Sequence, residues 1–346
     1  MNNIFYMTAW SKEDPKAGVY SCTFENKEVK IHGFEPLFMA GYLCFSPNGK
    51  FLYATGCNDK GEEDLTAFAL EENGSMKRLS SVSSGGVSTC HNCVSPDGKF
   101  LYAANYSSGD FAEFELSTDG SIIKRTKLVS HHGSGPVKGR QESAHPHFTA
   151  MTPDGRFVVV ADLGIDKLVC YPYDSSAGIN EKAAVESVMP SGCGPRHIHF
   201  ASCGKIAYLL TELGNTILSM HYENGRFTII DEISLLPEKC NCVTKASAIR
   251  MSEDGRFLVG TNRGFDSIVM IEVDGRGGMK INQTTLSGGN SPRDVNFLPD
   301  GEHFAAANEF SDNIYFYDYD REKGTIAPNG VKLEYPRPLC IAWWKK

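Results

Sequence analysis

One pattern of apolar and polar residues recurs along the whole chain. A β-rich run ends in a polar turn of the Pro-Asp-Gly type, and a second apolar run, usually led by an aromatic residue, follows the turn. The copies are SPNGKFLYA at 46–54, SPDGKFLYA at 95–103, TPDGRFVVV at 152–160, ASCGKIAYL at 201–209, SEDGRFLVG at 252–260 and LPDGEHFAA at 298–306. An Asp-Gly pair between two apolar runs is a strong β-hairpin signal. The turn glycines lie 46 to 57 residues apart, so one β-rich unit repeats along the chain.

Each hairpin is followed by more strand-forming sequence. A third apolar run, such as DFAEFEL or DNIYFYDYD, comes next, and a fourth strand fits before the next turn. Four antiparallel strands in about 50 residues form one blade of a β-propeller. The N-terminal IFYMTAW and GVYSCTF predict a second and a third strand, whereas the C-terminal RPLCIAWW predicts a first strand.

These elements predict an all-β fold, a seven-bladed β-propeller, as a single domain over residues 1–346. The last blade is then closed by strands from both termini: a strand near 338–344 pairs beside strands from about 3–24. An open array of β-units would leave both of its ends unpaired, whereas this closure removes the free sheet edges.

Composition limits the environment and the partners of the chain. With a formal net charge of −8 and a pI of about 5.7, it is a poor candidate for binding nucleic acid or an anionic membrane. A site for an anionic ligand must therefore gather its cations locally. Eleven cysteines, without a recognisable secretion signal or a long apolar run, indicate a reduced cytoplasmic protein whose cysteines mostly pack as small apolar residues.

Two sets of positions should meet at one mouth of the central channel, since the first strand of a blade runs towards its hairpin and the second runs back. The first set lies six residues before the turn proline or its equivalent: Gly41, Cys90, His147, Arg196, Ser247 and Arg293. The second set lies where the second strand returns: Asn58, Tyr106, Leu163, Glu212, Arg263 and Glu309. Ion pairs between blades explain any one of these charges equally well. For the group, convergence from successive blades favours a site.

An insertion marks the same mouth. The longest spacing between turns is caused by HHGSGPVKGRQESAHPH at 131–147, whose Gly, Ser and Pro content predicts a loop. Long loops in compact domains are often functional. The loop ends with His145 and His147, which flank Pro146.

Cysteine and histidine clusters do not add up to a metal site. Cys90-His91-Asn92-Cys93 has CxxC spacing, but no second CxxC completes a set of four ligands. Core packing is the better explanation for the CxxC segment, and the similar Cys240-Asn241-Cys242 adds no second CxxC. Inner-strand packing is the better explanation for His197-Ile198-His199. No GxSxG elbow is present for a serine nucleophile. We expect neither a metal nor a cofactor.

Several segments resemble one known family, and the likeness runs from about residue 18 to the last strand. They are GSGP…RQESAHPHFTAMTPDGRFVVVADLGIDK, GPRHIHF, TELGNT, ASAIRMSEDGRFL…NRGFDSI and SPRDVNFLPDG…ANEFSDNI. This combination is similar to the propeller-type 6-phosphogluconolactonase family, which also contains a carboxy-cis,cis-muconate cyclase. The resemblance implies a metal-free enzyme that acts on lactones of sugar acids or on muconates.

The same resemblance implies a set of site residues. His147 comes from the His-x-His motif, Arg196 from Gly-Pro-Arg-His, Glu212 from Thr-Glu-Leu and Arg263 from Asn-Arg-Gly. Thr211 stands where the family usually has Asn, a change that leaves the charged set intact.

Lactone opening needs an attacking water, a base to take its proton and donors for the oxyanion. Either Glu212 or His147 could be the base; we favour His147 as base or acid, with Glu212 orienting it or the water. Arg196 and Arg263 would bind an anionic group or the oxyanion. The substrate-binding candidates are His145, His197, Arg293 and Glu309, of which the first three could hold a distal phosphate.

The sequence therefore predicts a lactonase, a carboxylic ester hydrolase that acts on 6-phosphogluconolactone or a related small anionic substrate, in the pentose phosphate pathway. The protein should be a monomer or a weak dimer. One alternative is a cyclase or isomerase that forms a muconate-type lactone with the same acid–base pair. The other is a non-enzymatic propeller scaffold for a protein or peptide, which should expose aromatic residues across the mouth rather than opposite charges.

Overall fold

Residues 4–240 and 242–344 are described by the computed structural model, and they form seven antiparallel sheets. The innermost strands of neighbouring sheets contact one another in a closed cycle. Each sheet is one blade, and the ring is a seven-bladed β-propeller, as the repeats predicted.

The strands follow the chain blade by blade. Blade 1 contains β4 (Leu43–Phe45), β5 (Phe51–Cys57), β6 (Glu63–Leu70) and β7 (Met76–Ser83). Blade 2 contains β8 (Thr89–Val94), β9 (Phe100–Asn105), β10 (Asp110–Leu116) and β11 (Ile122–Ser130). Blade 3 contains β12 (Pro146–Met151), β13 (Phe157–Asp162), β14 (Lys167–Asp174), β15 (Gly178–Ile179) and β16 (Val185–Val188). Blade 4 contains β17 (Pro195–Phe200), β18 (Ile206–Thr211), β19 (Thr216–Glu223) and β20 (Arg226–Ser234).

The remaining blades complete the ring. Blade 5 contains β21 (Lys245–Met251), β22 (Phe257–Arg263), β23 (Ser267–Val273) and β24 (Met279–Leu286). Blade 6 contains β25 (Pro292–Phe297), β26 (His303–Asn308), β27 (Asn313–Asp320) and β28 (Thr325–Glu334). Blade 7 contains β29 (Pro338–Trp343), β1 (Ile4–Ala9), β2 (Gly18–Glu25) and β3 (Glu28–Pro36). In the described part of the chain, two short 3₁₀ helices, Glu181–Ala183 and Glu309–Ser311, lie between strands.

Blade 7 is closed by both termini. The C-terminal strand β29 is antiparallel to β1, with Phe5 opposite Trp343 and Met7 opposite Ile341. The rings of Phe5 and Trp343 meet edge to face with their centroids 5.2 Å apart. The predicted pairing of the two chain ends is therefore confirmed, and β29 covers the edge that β1 would otherwise leave open.

The apolar runs of the sequence arise because the second strand of a blade is buried on both faces. In β13, Val158 and Val160 pack against blade 2, whereas Val159 and Ala161 pack against blade 4. All four are fully buried. A strand buried on both faces is apolar at consecutive positions instead of alternating, which explains the continuous apolar run from Phe157 to Ala161.

The hairpins between first and second strands all use a glycine with positive φ. The six turn glycines, from Gly49 to Gly301, have φ between +65° and +72°. A residue with a Cβ rarely adopts this conformation, so glycine recurs in each copy of the phrase. These turns lie at the opposite ends of the inner strands from the site described below.

Candidate active site

Bulges in first strands position the first set of mouth residues, those six residues before the turn proline. In blade 3, Pro146 pairs with Asp162 and Phe148 pairs with Ala161, which leaves His147 as an extra residue. The same one-residue slip occurs around Cys90, Arg196 and Arg293 in blades 2, 4 and 6. Bulges of this kind change the direction in which one side chain points. At these four positions, the residue chosen from the sequence is thus the one that the ladder leaves unpaired.

The second set of mouth residues, which includes Glu212 and Arg263, lies where second strands end. Glu212 directly follows β18, and its backbone N–H donates to the Gly194 carbonyl at 2.8 Å. Its own carbonyl accepts from Ala246 N–H of blade 5 at 3.1 Å. Arg263 is the last residue of β22. The backbone of Glu212 is therefore held between two blades, which fixes the position of its carboxylate.

Glu212 is the centre of a buried ion network. Its Oε2 accepts from Arg196 Nε at 2.9 Å and pairs with Arg263 Nη2 at 2.8 Å. Its Oε1 accepts from Arg140 Nη2 at 2.6 Å. His147 Nε2 lies 3.9 Å from Oε2. All four residues predicted to be catalytic are thereby brought into one group, which Arg140 of the inserted loop completes.

The charges in this group follow from their surroundings. Burial alone would raise the pKa of Glu212, but Arg263 and Arg196 outweigh it, and this pKa lies well below its ordinary value. Burial, with Arg196 next, holds the pKa of His147 well below its ordinary value. Burial, with Arg293 and Arg263, lowers the pKa of Arg196 to about 9. At neutral pH the group therefore contains a carboxylate, charged guanidiniums and a neutral imidazole.

A cavity of about 200 Å³ opens beside this group. Its volume suits a small molecule rather than a peptide. The lining residues are Trp10, Met39, Gly41, Tyr42, Glu63, Ser88, Thr89, Cys90, His147, Arg196, His197, Arg293, Asp294 and Leu339. Glu212 and Arg263 lie outside this lining; Glu212 pairs with Arg196 of the lining and lies 3.9 Å from His147, and Arg263 is connected to it through Glu212.

The other predicted residues take different places. His197 lines the cavity but is buried, and burial together with Arg196 keeps its pKa well below the ordinary value. Its Nε2 lies 3.1 Å from Arg196 Nη1 and so accepts a hydrogen bond. His145 lies outside the lining, stacked on Tyr106 with ring centroids 4.4 Å apart. Glu309 pairs with Arg337 at 2.5 Å and, more loosely, with Arg293 at 3.9 Å.

Sequence reasoning missed two cations of the mouth. Arg140 lies inside the inserted loop, which the sequence indicates as functional without pointing to this residue. Lys245 begins β21, and burial with Arg140 as the first charged neighbour lowers its pKa. The signal for Arg140 is a cation in a long inserted loop. The signal for Lys245 is a cation just before the bulge of a first strand.

Metal-binding patterns in the sequence are not assembled into clusters. Among the described residues no three His, Cys, Asp or Glu side chains are grouped as a metal would require. The Cys90 thiol lies near His147, whereas the Cys93 thiol contacts Thr149 at 3.5 Å. Asn241, in the middle of the Cys-x-Cys segment, lies outside the described residues. No helix in the described part of the chain has the length and apolarity of a membrane span.

Comparison with known proteins identifies the family to which this fold belongs. Residues 4–343 match the model of the family described as lactonase, 7-bladed β-propeller. A 6-phosphogluconolactonase of Bacillus subtilis is 34% identical over 94% of this chain and 93% of its own length. A solved periplasmic gluconolactonase of Pseudomonas aeruginosa has a TM-score of 0.89 and 26% identity, covering 99% of both chains. A solved protein of Bacteroides fragilis, titled a putative 6-phosphogluconolactonase, has a TM-score of 0.89 and 25% identity over 98% of this chain and 96% of its own. The chain therefore belongs to the lactonase family of seven-bladed β-propellers and is an enzyme of the lactonase type.

Proposed function

We propose that this enzyme opens the ring of 6-phosphogluconolactone by general acid–base catalysis without a metal. The observation that carries the proposal is a neutral His147 beside the charged pair of Arg196 and Glu212, at the wall of a small cavity. The 6-phosphogluconolactonase among the relatives supports the substrate. The cations of the mouth support an anionic ligand in an otherwise acidic chain.

His147 is the base of this proposal. Both carboxylate oxygens of Glu212 already accept from arginines, three in all, so this carboxylate is poorly placed to take a proton from water. The imidazole is neutral. Its Nδ1 lies 3.9 Å from Cys90 Sγ and its Nε2 lies 3.9 Å from Glu212 Oε2, and both distances are too long for a strong hydrogen bond. One nitrogen can therefore take the proton of an attacking water. The imidazolium that forms is stabilised by the carboxylate of Glu212.

Arg196 supplies the donor for the oxyanion. Its guanidinium lines the cavity and is fixed by Glu212 through Nε and by the Ser247 carbonyl through Nη1. With a pKa of about 9 it stays charged at neutral pH. A donor held in place before the reaction needs no reorganisation as the negative charge develops on the carbonyl oxygen. The proton held by His147 can then pass to the leaving ring oxygen, which gives the open acid.

The decisive experiment is the turnover of His147→Gln on freshly prepared 6-phosphogluconolactone, with acid release followed after subtraction of spontaneous hydrolysis. We expect kcat to fall by roughly a hundredfold or more, the usual contribution of an acid–base group. His132→Ala, an exposed histidine in the same loop, is the matched control. Unchanged turnover in His147→Gln contradicts the role of this residue. Turnover of a muconate-type acid, with no opening of the sugar lactone, would support the cyclase alternative instead.

We also propose a cytoplasmic location. All eleven cysteines are free thiols, as expected in a reducing compartment. A relative is nevertheless titled periplasmic, so fractionation of the source cells is the direct test. Recovery of the protein with periplasmic markers contradicts this part of the proposal.

A further inference from the structure

We propose that Arg140, Lys245 and Arg263 form a separate anion subsite at the edge of the cavity, which binds the phosphate of a phosphorylated lactone and selects it over the unphosphorylated one. This inference rests on the proposed function, because it names the group that the same site recognises. It replaces His145, His197 and Arg293, the residues expected from the sequence, with three other cations, one of which comes from the inserted loop.

The two arginines are fixed in position by the same carboxylate. Arg140 Nη2 donates to Glu212 Oε1 at 2.6 Å and to the Tyr106 hydroxyl at 3.2 Å. Arg263 Nη2 pairs with Glu212 Oε2 at 2.8 Å and donates to the Ala246 carbonyl at 3.0 Å. The two guanidiniums therefore stand on either oxygen of Glu212, and neither is free to swing away. Lys245 immediately precedes Ala246 on β21.

Each arginine keeps a donor that the protein does not use. Arg140 Nη1 and Arg263 Nε are both buried, and neither has a hydrogen-bond partner within the described part of the chain. Buried polar groups without partners are rare, because each loses its hydration and gains nothing in return. Unused donors on two neighbouring guanidiniums suit a ligand with several acceptor oxygens, and a phosphate offers three.

The balance of charge points to a dianion. Within residues 4–240 and 242–344, the carboxylate of Glu212 is shared by Arg140, Arg196 and Arg263, with Lys245 close by. The pKa of Lys245 is lowered by burial and then by Arg140, so these cations repel one another. This group of four cations and one carboxylate therefore carries three excess positive charges. A phosphate dianion offsets two of them and leaves Arg196 for the oxyanion, whereas a single carboxylate offsets only one.

The position of the subsite matches the shape of such a substrate. Arg140, Lys245 and Arg263 lie outside the cavity lining, while Arg196 belongs both to that lining and to the Glu212 group. A ring in the cavity beside His147 and Arg196 would leave its exocyclic phosphate at the outer edge. The inserted loop thus supplies Arg140 at the place where the distal group emerges.

Selectivity is the property to measure. The values of kcat/KM for 6-phosphogluconolactone and for glucono-δ-lactone are compared in the parent, Arg140→Ala, Lys245→Ala and Lys138→Ala. Lys138 is an exposed cation of the same loop and serves as the matched control. We expect the ratio of the two kcat/KM values to fall by roughly 10- to 100-fold in the first two variants, the range for a lost charge-assisted hydrogen bond. The ratio of Lys138→Ala should equal that of the parent.

Two results overturn the subsite while leaving the lactonase proposal intact. One is a parent enzyme that does not distinguish the two lactones. The other is an equal loss on both lactones in Arg140→Ala and Lys245→Ala, since these residues would then act only through Glu212. If the parent opens neither lactone, the proposed function fails, and calorimetric titration with inorganic phosphate still decides on the subsite. Binding that weakens in both variants supports it, and binding that is absent or unaffected overturns it.

Discussion

Glu212 holds the charges of the mouth together, so its replacement by glutamine tests the network most directly. The substitution keeps the size of the side chain and removes one negative charge. Arg140, Arg196 and Arg263 would then face a neutral amide instead of the carboxylate that they share. The NH₂ group of glutamine cannot accept hydrogen bonds, so the arginines on one side of the group lose their acceptor.

The size of the effect follows from burial. Glu212 is 3% exposed and Arg196 is 2% exposed, so solvent screens their interaction very little. Removal of one partner from a buried ion pair costs about 3–5 kcal/mol, because the remaining charge is left uncompensated. A chain of this size loses about 2 °C in Tm for each kcal/mol. We therefore expect Tm at pH 7 to fall by roughly 6–10 °C.

The loss should become smaller at higher pH. Glu212 raises the pKa of Arg196 against the effect of burial, so Glu212→Gln lowers this pKa below about 9. Above the lowered pKa the folded variant releases a proton that its unfolded state retains. The free energy of unfolding of the variant then rises with pH relative to the parent. The difference between the two proteins should be greater at pH 7 than at pH 9.

Urea unfolding curves at these two pH values, followed by tryptophan fluorescence, measure both effects. Glu309→Gln is the control, since Glu309 is also buried but pairs with Arg337, whose side chain is 39% exposed. The control should lose less stability than Glu212→Gln. Equal losses in the two variants, or a difference from the parent that grows with pH, would refute the assignment of Glu212 as the compensating charge.

Three further predictions concern closure, pH and metals. Deletion of residues 338–346 removes β29 and uncovers β1, so we expect the free energy of unfolding to fall by at least about 5 kcal/mol through the loss of its buried side chains, or the chain to become insoluble. Removal of 345–346 alone is the control. Equal melting of the parent, the deletion and the control contradicts the closure argument. Burial lowers the pKa of His91, His147 and His197 below 6.5, so the unfolded state binds more protons than the folded state as pH falls. The free energy of unfolding should therefore decrease by up to about 4 kcal/mol per pH unit near pH 5.5. A free energy of unfolding in urea that stays constant between pH 7 and 5.5 contradicts this. Exhaustive chelation should leave lactone opening unchanged, and activity that is lost and then restored by one divalent ion would overturn the metal-free mechanism.

The blades could be predicted from the sequence because their inner strands carry the clearest pattern. Second strands buried on both faces produce continuous apolar runs, and the hairpins need a glycine with positive φ. The outermost strands were harder to place. In β11 most side chains between Ile122 and Ser130 are exposed or half-buried, so no apolar run marks them. The extra edge strands β15 and β16 of blade 3 were not predicted for the same reason.

The site could be predicted in part. Counting back from the turn proline identifies the bulged positions, since blades 2, 3, 4 and 6 have the same length between the bulge and the hairpin. That count located His147 and Arg196, and the matching ends of second strands located Glu212 and Arg263. Arg140 could not be found in this way, because a loop outside the repeat has no equivalent position in other blades. Its contact with Glu212 depends on tertiary structure alone.

Equivalent positions of different blades can be compared within this one chain. The comparison indicates that the fold does not require charged residues at the mouth. The bulge that presents Arg196 in blade 4 presents an uncharged Cys90 in blade 2, and blade 5 has Ser247 at the equivalent position. Small uncharged residues are thus compatible with the same backbone. Burial of a guanidinium costs several kcal/mol before its partners offset it, and ion pairs in a core are often no better for stability than apolar packing. Since the fold accepts the less costly residue elsewhere, the presence of Arg196 and its partners on adjacent blades is better explained by the ligand than by stability.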